Sequence, residues 1–309
     1  MGYKESYRRG FILIKAFMYH DIRDFCNTSF KSRMEMKSFL TISQFKYQLD
    51  YLIKNYTIIS TKDLTNINYK NDKDYAILTF DDGLMDHYEI SSILLDRGIT
   101  GTFLIPARPV RDRVVMNSHK IQFILSVSDE KLLVKKIFKY LNRTTLEEKR
   151  LWDKFSVSKW KNNWWSIEMV FITNLLRNHE NGKEITNKLF KELVTNDEKG
   201  FCEDFYLKES QVKDMVNNGM EVGGHGYLSE SLTSLNQEED ISKCLNYVKK
   251  FYNDDLIFSY PNGSYNKETL ELMKKYRCKF SYTTVQETIT KNTNYLEIPR
   301  FDGPQTLPL

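Results

Sequence analysis

Two adjacent aspartates, Asp81 and Asp82, are the residues of this chain most suited to chemistry. They lie in the segment TFDDG, residues 79–83, directly after the apolar run 75–78, which predicts a buried strand. Neighbouring carboxylates repel each other and lose hydration when partly buried, so a metal cation or a chemical role must compensate. Because side chains alternate along a strand, one aspartate can bind a metal while the other acts as an acid or base. A turn that caps the following helix is the alternative interpretation.

The segments around this pair alternate between strands and helices. Strands are predicted at 11–19, 58–59, 75–78, 101–106, 220–225, 256–260, 279–283 and 296–298, and a capping box at 41–44 begins the first helix. Further helices are predicted at 84–97, 210–218, 237–253 and 267–276. Such repeats predict a parallel sheet with outer helices, and a barrel of this kind carries its chemistry at the carboxyl ends of the strands. His20, the aspartate pair, His225 and the Tyr260-Pro261 step lie at those ends.

Residues 107–205 interrupt this alternation. The stretch is rich in Lys, Glu, Leu and Trp, and its apolar spacing predicts helices at 130–142, 145–156, 165–178 and 182–194. We therefore predict one domain over residues 1–309, with 107–205 as a helical insertion within it.

Composition narrows the class of protein. The 309 residues are 41% hydrophobic, which is ample for a real core, and the net charge of +4 is spread too evenly to indicate nucleic-acid binding. Four cysteines, at positions 26, 202, 244 and 278, lack metal-site spacing and predict free thiols in a reducing compartment. Neither a signal peptide nor a membrane span is recognised, so the expected location is the cytoplasm. The oligomeric state is not predicted.

Three stretches resemble the polysaccharide deacetylases, which form carbohydrate esterase family 4 and share the NodB-homology domain. The stretches are TFDDG with the later GTF at 101–103, GMEVGGHGYLS at 219–229, and FSYPNGSY at 258–265. Their order and spacing fit over residues 11–106 and 205–302. The resemblance implies a distorted (β/α)7-type barrel. It also implies hydrolysis of an N-acetyl, or other N-acyl, group from an amino sugar in bacterial surface polysaccharide biosynthesis.

The resemblance also implies roles for single residues. Asp81 corresponds to the family's general base, and Asp82 to a ligand of a divalent metal ion, with zinc expected and cobalt or nickel as alternatives. His225 matches the first of two ligand histidines spaced i and i+4. The second position is Ser229, a departure that weakens the expected site because a hydroxyl is a poor zinc ligand. His119, in a predicted loop, is the candidate replacement; contact through water at Ser229, or loss of the site, are the alternatives.

The third motif is expected to contact the substrate through Tyr260, Pro261 and Asn262. The resemblance places the backbone N–H that binds the oxyanion at Asn262. A simple turn is the alternative interpretation of this segment. The arginine that often precedes the family's proline is missing, and Ser259 and Tyr260 lie there instead.

The proton donor is less conventional. The family's late Leu-x-His motif has no histidine in this chain, so His20 is the candidate, in a segment MYHDI that resembles the poly-N-acetylglucosamine deacetylase branch. Arg300 is expected to orient Asp81 or to bind an acidic sugar group, with a surface salt bridge as the alternative. His87 is predicted to face solvent or to cap a contact.

These observations predict a metal-dependent carbohydrate N-deacetylase, an amide hydrolase acting on C–N bonds other than peptide bonds. The expected substrate is an N-acetylated amino sugar, free, nucleotide-linked or lipid-linked. The alternative is a catalytically degenerate homologue that binds a glycan or a partner without hydrolysis. Ser229 and the missing late histidine motivate that alternative.

Overall fold

The computed structural model describes residues 12–24, 39–67, 74–157, 165–234, 236–252 and 255–309. The chain divides into two compact units. The first comprises 1–24, 38–112 and 205–309, and the second comprises 25–37 and 113–204. The predictions that concern residues 1–11 and Cys26 lie outside the described residues. Within the described ranges, no helix combines the length and the apolar character needed to cross a membrane.

The first unit is built on a parallel β-sheet. Its strands are β1 (Ile14–Tyr19), β2 (Thr57–Ile58), β3 (Tyr75–Asp81), β4 (Thr102–Ile105), β5 (Glu221–Gly224), β6 (Leu256–Ser259), β7 (Cys278–Tyr282) and β8 (Phe301–Asp302). They are ordered β7-β6-β5-β4-β3-β1-β8, and every neighbouring pair is parallel. The short strand β2 pairs with the first residues of β3.

Helices connect these strands and form the second unit. In chain order they are α1 (Ile42–Asn55), α2 (Asp86–Leu95), α3 (Ala107–Asp112), α4 (Asn117–Ser126), α5 (Glu130–Leu141), α6 (Thr145–Phe155), α7 (Ile167–Asn178), α8 (Gly182–Leu193), α9 (Glu198–Phe205), α10 (Glu209–Asn217), α11 (Gln237–Val248), α12 (Lys267–Lys275) and α13 (Gly303–Thr306). Helices α4 to α8 lie in the second unit, and α9 lies there except for its last residue. Short 3-10 helices occupy Lys62–Asn66, Leu232–Ser234 and Pro261–Gly263.

The sheet curls into an open half-barrel. Asp81 ends β3 and Ser259 ends β6, and two strands lie between them. Three strand spacings would separate these residues by about 14 Å in a flat sheet. Instead, the Ser259 Oγ lies 3.3 Å from the Asp81 Oδ2. The carboxyl ends of β3 and β6 therefore face each other across the interior.

Alternation along β3 sends its last side chains to opposite faces. Thr79 and Asp81 point into the half-barrel, where both contact Arg300. Phe80 points outward to the helix layer and stacks on Phe103 of β4, with ring centroids 4.7 Å apart. One face of the strand thus builds the core and the other presents the carboxylate.

Most local predictions agree with the structure to within a few residues. The capping box is present, because Thr41 Oγ1 accepts a hydrogen bond from Gln44 N and Gln44 Oε1 accepts one from Thr41 N. The predicted strand at 296–298 is wrong. Ile298 forms only an isolated bridge to Tyr282, at the end of β7. The three described cysteines, Cys202, Cys244 and Cys278, are buried free thiols.

Candidate active site

Arg300 holds Asp81 through a buried bidentate ion pair. Its Nη1 donates to Asp81 Oδ1 at 2.7 Å and its Nη2 donates to Asp81 Oδ2 at 2.8 Å, with side chains 0% and 2% exposed. The other N–H groups donate to Thr79 Oγ1, Ser259 Oγ and the Thr283 carbonyl oxygen. These bonds use all five donors of the guanidinium. The orientation of the Asp81 carboxylate is therefore set by β3, β6 and the chain after β7.

This pairing determines the charge of Asp81. Burial alone raises the pKa of that carboxyl, but the Arg300 guanidinium, followed by His225 and His20, lowers it below its ordinary value. Asp81 is consequently a carboxylate at neutral pH, as a proton acceptor must be. Of the roles predicted for Arg300, the structure supports the orientation of Asp81. The Arg300 side chain has no exposed surface, so it cannot bind a sugar group or form a surface salt bridge.

Asp82 and His225 form a second pair beside the first. The His225 Nδ1 lies 3.1 Å from the Ser259 carbonyl oxygen, and its Nε2 lies 3.5 Å from Asp82 Oδ1. A carbonyl only accepts, so Nδ1 carries a proton and donates it. A bare lone pair on Nε2 would face a carboxylate oxygen and be repelled by it. A cation placed between these two atoms would remove that repulsion.

The spacing of this pair suits a shared metal ion. Two ligands of a tetrahedral zinc ion at ordinary bond lengths are about 3.4 Å apart, close to the 3.5 Å observed. The contact from His225 to a backbone carbonyl is also the usual outer support of a metal-binding histidine. No group of three His, Cys, Asp or Glu side chains suited to a metal occurs among the described residues. The donors present thus fit a divalent ion with two side-chain ligands.

The backbone of Asp82 is strained. Its φ of 78° lies in the left-handed region, which costs a residue with a Cβ about 1–3 kcal/mol. Gly83 follows with φ of 57°, and a Cβ there would lie 3.1 Å from Ile105 Cγ2. The chain turns sharply away from β3 at this point, so Asp82 leaves the alternation that holds Asp81. Strain of this kind concentrates at functional sites.

The loop that carries Ser229 is fixed by a buried carboxylate. Asp240 of α11 accepts hydrogen bonds from the backbone N–H groups of Tyr227 at 2.8 Å and Leu228 at 3.0 Å. Gly226 has φ of 72°, and a Cβ there would lie 3.0 Å from Asp240 Oδ1. Ser229 is itself buried, with φ of 51°. The backbone between the two positions that carry the family's ligands is therefore positioned by Asp240.

His20 reaches the same end of the barrel. It is half-buried directly after β1, and it is one of the groups that lower the pKa of Asp81. It also opposes the rise that burial causes in the pKa of Asp302. The structure thus brings His20 close to Asp81, while its role as proton donor remains a prediction.

Of the two alternatives predicted for His87, a capped contact agrees with the structure and exposure to solvent does not. His87 is not on the solvent side. It is fully buried in α2, and its Nε2 lies 2.9 Å from the His20 carbonyl oxygen. The sequence did not indicate that the first turn of α2 packs against the segment after β1.

The third motif divides between core and surface. The Tyr260 ring is buried, stacks on Tyr265 with centroids 4.7 Å apart, and donates its hydroxyl to the Leu296 carbonyl oxygen. Burial also raises the pKa of Tyr260. Pro261 is buried as well, whereas Asn262 is exposed with φ of 56°. Of the three substrate contacts predicted in this motif, only Asn262 is exposed to solvent.

His119 belongs to the second unit, whereas the residues described above belong to the first. The prediction of a loop is wrong, because His119 is buried on α4 within the second unit. Its proposed role as a metal ligand remains a prediction.

Sequence reasoning missed three residues that support the site. Ser259 contacts both members of the Asp81–Arg300 pair and its carbonyl holds His225. In the sequence, Ser259 stood out only because the family often has an arginine near this position. In the structure, Arg300 supplies the guanidinium that binds Asp81. Asp240 and His87 carried no signal that distinguishes them from ordinary helix residues.

Known structures include chains with a similar fold. The deacetylase PplD of Streptococcus pyogenes, in complex with acetate, superposes with a TM-score of 0.53 at 17% identity, covering 94% of this chain and 92% of that one. IcaB from Ammonifex degensii gives a TM-score of 0.55 at 15% identity, with 94% and 91% covered. The polysaccharide deacetylase BC0361 from Bacillus cereus gives 0.55 at 17% identity, with 94% of this chain but 65% of that chain covered. These likenesses confirm the predicted fold class.

One family model matches part of the sequence. The family model described as polysaccharide deacetylase matches residues 170–281. Over that stretch the chain is similar to the polysaccharide deacetylases. The matched part contains the second and third motifs, whereas TFDDG lies before it. No curated protein sequence matches this chain.

Proposed function

We propose that this protein is a metal-dependent hydrolase that removes an N-acetyl, or related N-acyl, group from an amino sugar of a bacterial surface polysaccharide. One observation carries the proposal. Asp81 is held as a carboxylate by Arg300, and the next residue, Asp82, faces His225 at 3.5 Å. A proton acceptor thus stands beside a pair of metal donors. Structural relatives named as deacetylases, PplD among them, favour the same reaction class.

Asp82 and His225 would hold the ion, zinc by preference and cobalt or nickel otherwise. When bound, a divalent ion supplies Lewis acidity, which polarises an acyl carbonyl and lowers the pKa of water. The Ser259 carbonyl fixes the His225 ring so that Nε2 faces Asp82. Ser229 offers only a hydroxyl at the family's third ligand position, so we expect weaker metal binding than in a site with two histidines. His119 remains the proposed replacement ligand.

Asp81 would accept the proton of the attacking water. Asp81 Oδ2 accepts from both Arg300 and Ser259, whereas Oδ1 accepts from Arg300 and keeps a second lone pair for this proton. His20 would return a proton to the leaving amine, since it is half-buried and near Asp81. The backbone N–H of Asn262, on an exposed turn, would donate to the oxyanion.

The proposed substrate is an N-acetylated amino sugar in free, nucleotide-linked or lipid-linked form, and the proposed location is the cytoplasm. The substrate class follows from the family to which the chain is similar over residues 170–281. N-acetylglucosamine oligomers are a suitable probe, because deacetylation releases acetate and exposes a primary amine that can be measured separately.

The decisive experiment measures acetate release and bound metal on the same preparations. We expect Asp81→Asn to keep the ion and lose turnover, and Asp82→Asn to lose both. Asp50→Asn is the matched control, because Asp50 is an exposed aspartate of α1 in the same unit. Unchanged turnover in the two site variants would contradict the proposal.

A degenerate homologue that binds a glycan without hydrolysis is the second candidate. It is favoured by Ser229, and by the absence of a third His, Cys, Asp or Glu donor around Asp82 and His225 among the described residues. Metal content separates the candidates. Protein that binds no zinc, cobalt or nickel and releases no acetate, yet retains the oligosaccharide, would establish this alternative.

A further inference from the structure

His87 is buried against the chain segment that carries His20. It has no exposed surface, and its ring lies near Phe80 and Phe103, with centroids 5.7 and 5.9 Å away. Its Nε2 is 2.9 Å from the His20 carbonyl oxygen. Because a carbonyl only accepts, His87 donates this bond from a protonated Nε2.

Packing does not account for a histidine at this position. The second ring nitrogen, Nδ1, is buried and has no hydrogen-bond partner within the described part of the chain. A buried polar atom without a partner is destabilising. A phenylalanine would occupy the same aromatic surroundings without that penalty. What the histidine adds is the bond to His20.

The residue before His87, Asp86, binds the same segment at Ile22 and Arg23. Asp86 Oδ2 accepts a hydrogen bond from Ile22 N at 2.6 Å, and Asp86 Oδ1 accepts one from Arg23 Nη2 at 2.6 Å. Asp86 and His87 thus tie residues 20–23 to the first turn of α2, which begins three residues after Gly83. The helix that follows the aspartate pair therefore also sets the position of His20.

We infer that His87 is a positioning residue that fixes the backbone of His20, and through it the presentation of the His20 imidazole to Asp81. The inference rests on the proposed function, in which His20 supplies a proton. His87 itself is buried on the outer face of the sheet, together with Phe80 and Phe103. It acts only through the His20 carbonyl.

Two substitutions separate this role from a structural one. His87→Phe removes the donor and keeps the ring, whereas His87→Gln places an amide N–H near the position of Nε2. We expect His87→Phe to melt no lower than the parent protein and to lose about 10- to 100-fold in kcat with KM unchanged. His87→Gln should recover most of kcat. Unchanged kcat in His87→Phe, or an equal loss in His87→Gln, would overturn the inference.

A second readout does not depend on turnover. The chain has five histidines, so the ring proton–carbon signals are few, and His20→Ala identifies the signal of His20. We expect the chemical shift of this signal to change in His87→Phe and to remain unchanged in His87→Gln. If the parent protein releases no acetate but the signal behaves so, the proposed function fails and the positioning role stands. If the chemical shift of the His20 signal is unchanged in His87→Phe, the positioning role is overturned. If His87→Phe does not fold, His87→Leu replaces it.

Discussion

Replacing Arg300 with methionine tests the ion pair that orients Asp81. Methionine fills much of the space of the arginine stem but leaves a carboxylate that is 2% exposed without its counter-charge. It also leaves the acceptors on Thr79, Ser259 and the Thr283 carbonyl without the donors they have in the native protein. Breaking one side of a buried pair costs about 3–5 kcal/mol. We expect Arg300→Met to lower the free energy of unfolding by that amount at pH 7.

The loss of stability in Arg300→Met should depend on pH, in a direction set by the pKa values of Asp81 in the folded and unfolded states. In the native protein the pKa of Asp81 is lowered, so its stabilisation is present above the unfolded value, about 3.9, and disappears as pH falls through the folded value. In Arg300→Met burial remains and raises the pKa of Asp81, so destabilisation grows as pH rises above that same unfolded value. The difference between the two proteins should therefore be largest near neutrality and shrink toward pH 4.

Urea unfolding measures this difference at both pH values. Far-UV circular dichroism follows both units, whereas fluorescence follows the second, because all four tryptophans lie between positions 113 and 204. Arg97→Met is the matched control. The Arg97–Asp50 pair is 3.4 Å apart with side chains 31% and 66% exposed, and such pairs are worth about 0.2–1 kcal/mol. Asp81→Leu added to Arg300→Met should restore much of the loss, since apolar replacement of a whole pair is often neutral.

Two outcomes would refute this reasoning. One is an Arg300→Met variant no less stable than Arg97→Met. The other is a loss of the same size at pH 7 and near pH 4, which would mean that Asp81 does not carry the charge that Arg300 balances.

Three further predictions concern the metal pair and its loop. Asp82→Asn should keep stability, because asparagine tolerates a φ of 78°, while dialysed protein should contain no ion; retained metal would disprove the assignment. Ser229→His should tighten zinc binding by at least about tenfold in calorimetry, and equal affinity would mean that position 229 does not face His225. Asp240→Ala leaves the N–H groups of Tyr227 and Leu228 without their acceptor and should cost about 1–3 kcal/mol of stability, with a parallel loss of zinc affinity; a variant as stable as the parent would show that Asp240 does not hold the loop.

Features set by neighbouring residues were predictable. The capping box of Thr41 and Gln44, the strand that ends in Asp81, and the strand–helix order all follow from short-range spacing, and the structure contains them. The predicted fold class agrees with the solved structures, and the polysaccharide deacetylase family model matches residues 170–281, which contain two of the three motifs. The strand at 296–298 failed, because whether a short apolar run forms a ladder depends on the edge available to it.

The sequence alone identified Asp81, Asp82 and His225 as a constellation, and it exposed Ser229 as the departure from it. It could not choose among the roles of Arg300, because that choice depends on the curl of the sheet, which brings residues 219 positions apart into a 2.7 Å contact. It placed His87 either in solvent or at a capping contact, and it placed His119 in a loop, whereas both are buried in helices. Local spacing determines which residues share an element, but only tertiary packing determines which face is buried and which distant charges meet. The adjacent aspartates are a matter of sequence; the separate partners that give them different chemistry are a matter of the fold.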